Sequence, residues 1–544
     1  MTVYSRYLSK FPDNYNPSKQ QVELIKRVED AFSQGHKFVI CSAPTGSGKS
    51  FISKTLGNVS NKCSEEFREL ITSYDAFKQD YIGNYTNEVE CLKEHPHGAF
   101  ALTITKSLQD QYKGLFDDSA VLKGKSNYQC QVDTDVDVEN APCLLAPKLK
   151  DQCWTNNVCP YYNARNKALL DRFSVLNYKM FLALPGHVKR KNFIICDEAS
   201  ELEDELVKHF SIFVDPDKLK LLGIKIPYLY SAESEDVYKW ITSLMIVVGE
   251  HVESLTQKHN SKTTALNIND KIKLNYFKNL HRTLNLIDET WSKCEYICQR
   301  EGKTVKVMPL KVNVLSKYIF NYAENVLLMS ATIVDHKHFP QTLGITDYKY
   351  VEVDSTFDSA KAPIYVSIHN KINRANMDKM LPRILSQIET ICDSHKNDKG
   401  IIHTHTMQIT QYLQKNLTDK RFLYRDSESK NESILSKHFK STEPTCIVSP
   451  SMTFGVDLRD NLARFQIIVK GAFLPLSDKR IKKLFDEDKT WYTNKMLISL
   501  VQACGRGIRS KDDHCITYIL DGSIYDAVVN NKNKLPKYFI DRFV

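Results

Sequence analysis

A loop rich in Gly and Ser near the start of the chain, Ala43-Pro-Thr-Gly-Ser-Gly-Lys-Ser50, constrains the fold more than any other feature. An apolar run at 37–41 precedes the loop, and a helix-prone segment follows from Lys49. Strand, loop and helix in this order form a phosphate-binding loop, in which backbone N–H groups hold anionic phosphate. The alternation of strands and helices predicts an α/β fold with a parallel sheet.

The side chains of this loop have separate predicted roles. Lys49 adds a positive charge to the phosphates, and the Ser50 hydroxyl ligates Mg²⁺. The usual first glycine of the pattern is Ala43 here. A chance loop is the alternative, which the flanking strand and helix disfavour. The predicted nucleotide contacts in the loop are Ala43, Thr45, Gly46, Ser47, Gly48, Lys49 and Ser50.

An acidic pair, Asp197-Glu198, follows an apolar strand candidate at 193–196. In hydrolases with a phosphate loop, such an aspartate holds Mg²⁺ and a nearby carboxylate activates water. The acids that follow, Glu201, Glu203 and Asp204, also fit the solvated first turn of a helix. Both interpretations can hold together, and the apolar strand before the pair favours a functional role.

A second α/β region begins at about residue 336. Its apolar strand candidates lie at 400–403, 445–449, 465–470 and 515–520. Near its end, in Gln502-Ala-Cys-Gly-Arg-Gly-Ile-Arg509, two arginines lie three positions apart and share a face if the segment is helical. Arginines brought to a γ-phosphate stabilise the charge of the transition state. The predicted catalytic residues are Lys49, Asp197, Glu198, Gln502, Arg506 and Arg509.

Four cysteines are separated by twelve, nine and five residues: Cys130, Cys143, Cys153 and Cys159. The chain begins without a signal-peptide pattern, so its thiols are predicted to be reduced and such a cluster indicates a metal centre. Zinc sites favour closely paired ligands, which these four lack. Zinc and unligated core cysteines are the less favoured alternatives. Cys294 and Cys298 are predicted to be buried cysteines rather than a second metal site.

Net charge and hydropathy limit the partners that the protein is expected to have. The net charge of +9 permits a polyanionic partner without requiring one. The longest apolar stretches, such as 241–248, are too short to cross a bilayer. These patterns predict a soluble intracellular protein with no membrane partner, and we expect a monomer.

In their order, the motifs resemble those of superfamily 2 helicases. They are Gln21, Ala43–Ser50, Thr103–Thr105, Asp197–Ser200, Ser330–Thr332, Gly455–Asp457 and Gln502–Arg509. Two further segments, Lys123-Gly-Lys-Ser-Asn-Tyr-Gln-Cys130 and Cys159-Pro-Tyr-Tyr-Asn-Ala-Arg165, resemble the iron–sulfur helicases of the XPD/DinG family. The resemblance covers nearly the whole chain.

The resemblance implies two RecA-like parallel-sheet domains, with an iron–sulfur domain and a helical arch inserted in the first. The arch fits the helical spacing of residues 201–305, which carry little strand pattern. The predicted boundaries are 1–121, 166–204 and 306–335 for the first domain, 122–165 for the iron–sulfur domain, 205–305 for the arch and 336–544 for the second domain.

The resemblance also implies ligands for these residues. The four cysteines would hold a [4Fe–4S] cluster, Gln21 or its neighbour Gln20 would contact adenine, and Gly455 and Asp457 would lie at the nucleotide. Ser330-Ala-Thr332 would couple domain closure to nucleic-acid contacts. The predicted nucleic-acid contacts are Thr105, Lys106, Lys123, Lys125, Ser126, Tyr128, Tyr161 and Ser451. For each of these alone, a solvated surface residue is the alternative.

The implied activity is an ATP- and Mg²⁺-dependent DNA helicase that moves 5′ to 3′ on single-stranded DNA and opens tailed duplexes, with DNA repair as its expected setting. The alternative is an RNA helicase, or a single-strand translocase that displaces proteins. A binding module that kept the fold without catalysis is disfavoured by the intact catalytic residues.

Three positions depart from the family's pattern. Ser200 stands where the family usually has His, which leaves open how strongly hydrolysis is coupled to nucleic acid. Phe454 precedes Gly455 where a glutamate is usual. His403 and His405 lie in the fourth motif, and a packing role at a strand end is predicted for them rather than metal binding.

Overall fold

The computed structural model describes residues 5–44, 46–72, 96–144, 146–220, 234–260, 268–355, 358–369, 371–424, 431–450, 460–505, 507 and 513–544. Its strands are β1 Phe38–Ser42, β2 Ala99–Thr103, β3 Ala120–Leu122, β4 Phe173–Asn177, β5 Lys191–Asp197, β6 Ile212–Val214, β7 Tyr296–Glu301, β8 Thr304–Pro309, β9 Ala323–Ser330, β10 Lys349–Glu352, β11 Ile364–Val366, β12 Gly400–His403, β13 Phe422–Tyr424, β14 Cys446–Ser449, β15 Phe465–Ile468 and β16 Ile516–Ile519.

The helices connect and cover these strands. They are α1 Lys19–Ser33, α2 Lys49–Val59, α3 Glu65–Thr72, α4 Lys106–Leu115, α5 Pro147–Thr155, α6 Pro160–Leu170, α7 Tyr178–Ala183, α8 Leu202–His209, α9 Pro216–Lys220, α10 Ser234–Asn260, α11 Ile268–Trp291, α12 Lys317–Phe320, α13 His338–Thr342, α14 Met377–Ser394, α15 Met407–Asn416, α16 Asn431–Lys440, α17 Lys479–Glu487, α18 Lys489–Cys504, α19 Gly522–Asn530 and α20 Lys537–Ile540.

The first domain is built on a seven-stranded parallel sheet with the order β10-β1-β9-β5-β2-β4-β3. Successive side chains of a strand point to opposite faces, and here both faces are buried. Ile194 and Cys196 of β5 join the core on one face, whereas Phe193 and Ile195 join the core on the other. Two covered faces explain why the sequence shows continuous apolar runs rather than alternation.

The second domain is built on a six-stranded parallel sheet with the order β11-β16-β15-β12-β14-β13. Its two faces are also covered. Helix α14 packs against one face through Leu381 and Ile384, and α18 packs against the other through Leu497 and Leu500. The predicted α/β class with two parallel-sheet domains is confirmed.

Two insertions interrupt the first domain. Residues between β3 and β4 form the cysteine-containing segment with α5 and α6. Helices α10 and α11 pack together around Ile241, Leu244 and Leu284 and form the predicted arch. An antiparallel sheet, β6-β8-β7, lies at its base. No local sequence pattern indicates this sheet, because its strands are short and partly exposed, with no long apolar run.

The predicted boundary between residues 335 and 336 is moved by the structure. Strand β10 pairs with β1, with Val39 opposite Lys349, and therefore completes the first sheet. The second domain begins after Glu352, before β11. An edge strand of four residues with mixed polarity carries no signal that assigns it to one sheet or the other. In the described part of the chain, no helix is both long and apolar enough to span a membrane.

Candidate nucleotide site and cysteine cavity

The phosphate loop lies at the carboxyl end of β1 and opens α2. Gly46 and Gly48 both have φ of +81°, a conformation that other residues adopt only with strain. Gly48 is the N-cap of α2, so the first N–H groups of this helix face the loop. The Ser47 hydroxyl is buried and, among the described residues, has no hydrogen-bond partner. A loop of exposed N–H groups with a buried hydroxyl is suited to receive phosphate oxygens.

Gln21 packs directly on this loop. A Cβ atom at Gly48 would lie 2.0 Å from Gln21 Nε2, so glycine is required here for packing as well as for φ. The Gln21 Oε1 atom accepts a hydrogen bond of 2.8 Å from the Ser18 backbone N–H and completes a capping box at the start of α1. The side chain of Gln20 donates instead to the backbone oxygen of Asp354. Gln21 is thus the one of the two that adjoins the loop.

The acidic pair follows at the end of β5. Asp197 is buried, and its two oxygens accept hydrogen bonds from the Tyr112 hydroxyl at 3.1 Å and the Glu198 N–H at 3.0 Å. Burial raises the pKa of Asp197 to about 6 and the Glu198 charge adds to this, whereas Lys49 and the hydrogen bonds oppose it. A carboxylate buried with so little positive charge around it is suited to a divalent cation.

Glu198 has φ of +51°, a left-handed conformation that costs a non-glycine residue about 1–3 kcal/mol. Its Oε1 atom lies 3.8 Å from Lys49 Nζ, and its Oε2 atom accepts a hydrogen bond of 3.2 Å from Ser330. Strain at such a position is often retained where it aims a functional side chain. The carboxylate of Glu198 therefore reaches both the phosphate loop and β9.

Three hydroxyl groups join the acidic motif to the end of β9. The Ser200 hydroxyl lies 3.0 Å from that of Ser330 and 2.9 Å from that of Thr332, and the last two are 3.0 Å apart. All three side chains are buried. Ser200, the residue that departs from the family's usual His, is therefore connected to Glu198 through Ser330.

The second domain contributes Gln502, whose Nε2 atom donates a hydrogen bond of 2.9 Å to Glu201 Oε1. Burial raises the pKa of Glu201 to about 7, and the charge of Asp204 adds to this effect. Some other predicted positions cannot be placed. Thr45, Ser451, Gly455, Asp457, Arg506 and Arg509 lie outside the described residues.

Glu203 connects the first domain to three side chains of the second domain near this site. Its carboxylate accepts from Arg480 at 3.2 Å and from the Trp491 indole at 3.0 Å, and it lies 2.9 Å from Lys495 Nζ. Glu201 and Glu203 are therefore buried, and only Asp204 keeps the partial exposure that a solvated helix start predicts. Neither this network nor Tyr112 carries a sequence signal, because the partners come from distant segments.

The four cysteines line a common cavity, together with apolar side chains such as Val138, Ala141 and Val158. Burial and, to a smaller extent, the charges of the other three thiols raise the pKa of Cys143 to about 11, so Cys143 lies within electrostatic range of the other three. In the described part of the chain, no group of three or more His, Cys, Asp or Glu side chains could hold one metal ion.

The four thiols of this cavity are the ligand type that an iron–sulfur cluster takes. A zinc ion draws all its ligands to one point, whereas a [4Fe–4S] cluster takes a thiolate at each of four iron atoms and needs an enclosed, larger space. All four candidate ligands are thiols, and the remaining lining is largely apolar. Helix α5 carries Cys153, and Cys159 is the N-cap of α6. The residues present therefore fit the cluster that the resemblance implies.

The predicted nucleic-acid contacts differ in their exposure. Lys106 and Ser126 are exposed, and Thr105 caps α4 by accepting a hydrogen bond of 3.3 Å from the Leu108 N–H. Lys123 lies 2.5 Å from Asp110, and Lys125 lies over the ring of Tyr161 at 5.3 Å. The contacts described for Thr105, Lys123 and Lys125 are thus with other residues of this protein.

The structure does not support the predicted contact between Tyr161 and nucleic acid. It is 4% exposed and lies between the rings of Tyr128 and Tyr162, so it offers no free face to a base in this structure. The Tyr128 hydroxyl accepts a hydrogen bond of 3.1 Å from the Lys123 N–H, and this ring is half-buried. In the sequence, two neighbouring aromatic residues are equally compatible with a surface that stacks on bases and with a buried core. Only the packing in the tertiary structure distinguishes these two possibilities.

The fold and the site together describe a two-domain α/β protein with a candidate nucleotide site at the carboxyl ends of strands in its first sheet. Residues 397–540 match the family of the helicase C-terminal domain. A structure of apo XPD is similar over 94% of this chain and 98% of its own length, with a TM-score of 0.60 and 16% identity. A second XPD helicase structure has a TM-score of 0.56 and 17% identity over 95% of this chain and 98% of its own.

Xpd4 from S. tokodaii is also similar, with a TM-score of 0.56 and 13% identity over 97% of this chain and 99% of its own. No curated protein sequence matches the chain. At these identities the structural likeness establishes the fold. The predicted XPD-like fold is thereby confirmed, and so is a helicase C-terminal domain at residues 397–540.

Proposed function

We propose that the protein is an ATP-dependent superfamily 2 DNA helicase that moves 5′ to 3′ on single-stranded DNA and unwinds duplex DNA. The observation that carries this proposal is that three elements of the candidate site meet at the carboxyl ends of the strands of the first sheet. The phosphate loop, the Asp197-Glu198 pair and a helix of the second domain that carries Gln502 converge there. The helicase C-terminal domain supports the same function.

ATP hydrolysis would use residues of the first domain. The N-terminus of α2 and Lys49 would hold the phosphates, and Ser50 and Asp197 would hold Mg²⁺. Bound Mg²⁺ would neutralise charge on the phosphate oxygens. Glu198 would orient the attacking water and accept its proton, since its carboxylate is fixed by Ser330 and adjoins Lys49.

Movement along DNA would use the contact between the domains. Gln502 donates to Glu201 in this structure. With ATP bound, we expect Gln502, Arg506 and Arg509 to turn to the γ-phosphate, which would draw the second domain towards the first. Hydrolysis would release this closure. Two domains that alternately grip a phosphate backbone then step along it, with affinity that is largely independent of sequence.

The cysteine cavity would hold a [4Fe–4S] cluster at the point where the strands separate. Cys130, Cys143, Cys153 and Cys159 would be its ligands. Bound there, the cluster would tie together a segment that has only short helices of its own. Lys106, Lys123 and Ser126 would contact the DNA backbone nearby.

The proposal is tested with protein purified without oxygen and duplexes that carry a single-stranded tail at either the 5′ or the 3′ end. We expect unwinding of the 5′-tailed duplex alone. Unwinding of only the 3′-tailed duplex would contradict the polarity. Stimulation of ATP hydrolysis by RNA but not by single-stranded DNA would favour an RNA helicase, and DNA-stimulated hydrolysis without unwinding would favour a translocase.

The cluster is tested by Cys130→Ser and Cys159→Ser, with Cys294→Ser as the matched control. Cys294 lies in the arch, where its thiol contacts the backbone oxygen of Thr290. We expect the first two variants to lose bound iron and unwinding while they keep much of their ATP hydrolysis. The control should keep all three. An equal loss of unwinding and hydrolysis would mean that the cluster supports folding of the whole domain.

A further inference from the structure

The buried side chain of Tyr112 lies between Asp197 and the helix α2 that follows the phosphate loop. The function proposed above gives it no role. It is 1% exposed. Its hydroxyl lies 3.1 Å from Asp197 Oδ2 and 3.0 Å from the hydroxyl of Ser53. An ionised carboxylate only accepts hydrogen bonds, so Tyr112 donates to Asp197 and Ser53 donates to Tyr112.

This chain of hydrogen bonds joins three elements of the first domain. Ser53 lies in α2, one turn after Lys49, and Asp197 ends β5. Tyr112 lies in α4. Metal-binding carboxylates are commonly held in orientation by a hydrogen bond of this kind, and loss of the partner lowers metal affinity. The second oxygen of Asp197 is held by the Glu198 N–H, so both oxygens have fixed directions.

Helix α4 begins at the residues expected to contact nucleic acid. Thr105 is its N-cap and Lys106 its first residue. Tyr112 follows Thr105 by seven positions, which is close to two helical turns and about 10 Å along the axis. Gln109, on the same helix, is fully buried, and its side-chain amide donates a hydrogen bond of 3.0 Å to the Leu122 backbone oxygen, which holds the middle of α4 to β3.

We propose that Tyr112 is a positioning residue that orients Asp197 for Mg²⁺ and connects this site, through α4, to nucleic acid held at Thr105 and Lys106. The inference rests on the proposed function, since it assumes that Asp197 holds Mg²⁺. It adds a path by which DNA binding at the start of α4 changes the affinity for magnesium–nucleotide.

The test is the variant Tyr112→Phe, which removes the hydroxyl and keeps the ring. A fluorescent ATP analogue is titrated with and without Mg²⁺, and hydrolysis is measured over a range of Mg²⁺ concentrations. We expect the Mg²⁺ concentration for half-maximal hydrolysis to rise about tenfold, as for the loss of other hydrogen-bond partners of metal ligands. The rate at saturating Mg²⁺ should recover, and binding of the analogue in EDTA should not change.

Tyr424→Phe is the matched control, because the Tyr424 hydroxyl donates to backbone oxygens of the second domain, far from this site. It should leave the Mg²⁺ dependence unchanged even if it lowers the unfolding temperature. Ser53→Ala should act in the same direction as Tyr112→Phe but less strongly, because the bond to Asp197 remains. Single-stranded DNA should alter magnesium–nucleotide affinity in the wild type more than in Tyr112→Phe.

An unchanged Mg²⁺ dependence in Tyr112→Phe would overturn the inference, and so would an equal change in Tyr424→Phe. An equal response of both proteins to DNA would overturn the connection through α4. These outcomes are distinct from a failure of the proposed function. If the wild type bound no nucleotide in a Mg²⁺-dependent manner, the nucleotide site itself would be refuted, and the role of Tyr112 with it.

Discussion

Two buried carboxylates six positions apart, Asp197 and Glu203, have opposite electrostatic surroundings. Around Asp197 the direct partners are a hydroxyl and an N–H group, and burial raises its pKa to about 6. Burial alone would also raise the pKa of Glu203, but the charges of Lys495 and Arg480 lower it to about 2.

This difference separates a site that can receive a cation from a site that already has its cations. A buried charge is costly unless it is paired. Glu203 is fully paired across the domain interface and therefore has the properties of a structural contact. Asp197 is undercompensated, so a divalent ion bound beside it would stabilise its charge. The same residue chemistry thus supports assembly at one position and, under the proposed function, would support metal binding at the other.

The largest expected effect is that of Asp197→Asn on activity. Loss of the carboxylate should lower ATP turnover at least about a hundredfold, as when other preorganised electrostatic groups are removed from an active site. The protein should not lose stability, because an undercompensated buried charge is removed. Phosphate release and thermal unfolding, measured on one preparation, check both parts. Clear destabilisation would contradict the distinction between the two carboxylates.

Glu203→Gln should have the reverse pattern. Arg480 and Lys495 would be left buried without their carboxylate, which typically costs about 3–5 kcal/mol of unfolding free energy. Urea unfolding followed by fluorescence measures this cost. The control is Asp486→Asn, which removes an exposed pair with Lys482 and should cost less than about 1 kcal/mol. A similar cost in both variants would show that the Glu203 network is not special.

The pH dependence of stability should separate the two sites next. The folded pKa of Glu203 lies below its ordinary value of 4.5, so its contribution is present above pH 4.5 and is lost as pH falls towards 2. The folded pKa of Asp197 lies above its ordinary value of 3.8, so its contribution is present below pH 3.8 and is lost as pH rises through about 6.

Consequently, the Asp197→Asn variant should be more stable than the wild type, and this difference in unfolding free energy should be larger at pH 8 than at pH 5. The change in the difference between the two pH values should be on the order of 2 kcal/mol. Urea midpoints at the two pH values measure the difference. Addition of Mg²⁺ and ADP at pH 8 should stabilise the wild type but not the variant. The same shift with pH in both proteins would remove Asp197 as its cause.

The smallest expected effect is that of Ser200→Ala, which removes one neutral hydroxyl beside Ser330. One such hydrogen bond contributes about 1 kcal/mol, which corresponds to roughly a fivefold change. We expect the stimulation of ATP hydrolysis by single-stranded DNA to fall by this factor, with little change in basal hydrolysis. Ser316→Ala is the control, because it removes a buried hydroxyl that donates to Leu343 away from the site. Unchanged stimulation would separate Ser200 from coupling.

The sequence predicted those parts of the molecule that depend on neighbouring residues. The apolar run before the phosphate loop became β1, and the runs at 193–196 and 400–403 became β5 and β12. The predicted phosphate loop does connect β1 to α2, and its residues Gly46 and Gly48 both have positive φ. The cysteine spacing, together with the family resemblance, marked residues that line one cavity. Each of these features follows from a local pattern, because the backbone conformation and the periodicity of burial are local.

The tertiary structure alone decided which distant residues meet. Tyr112 and Asp197 are 85 positions apart, and Gln502 and Glu201 are 301 apart. Strand β10 joined the first sheet, and Tyr161 became core rather than surface. The physical reason is that a polar or aromatic side chain has no fixed role of its own. Its pKa and its partners depend on burial and on the charges that other segments bring, and these are set only when the sheets and helices pack together.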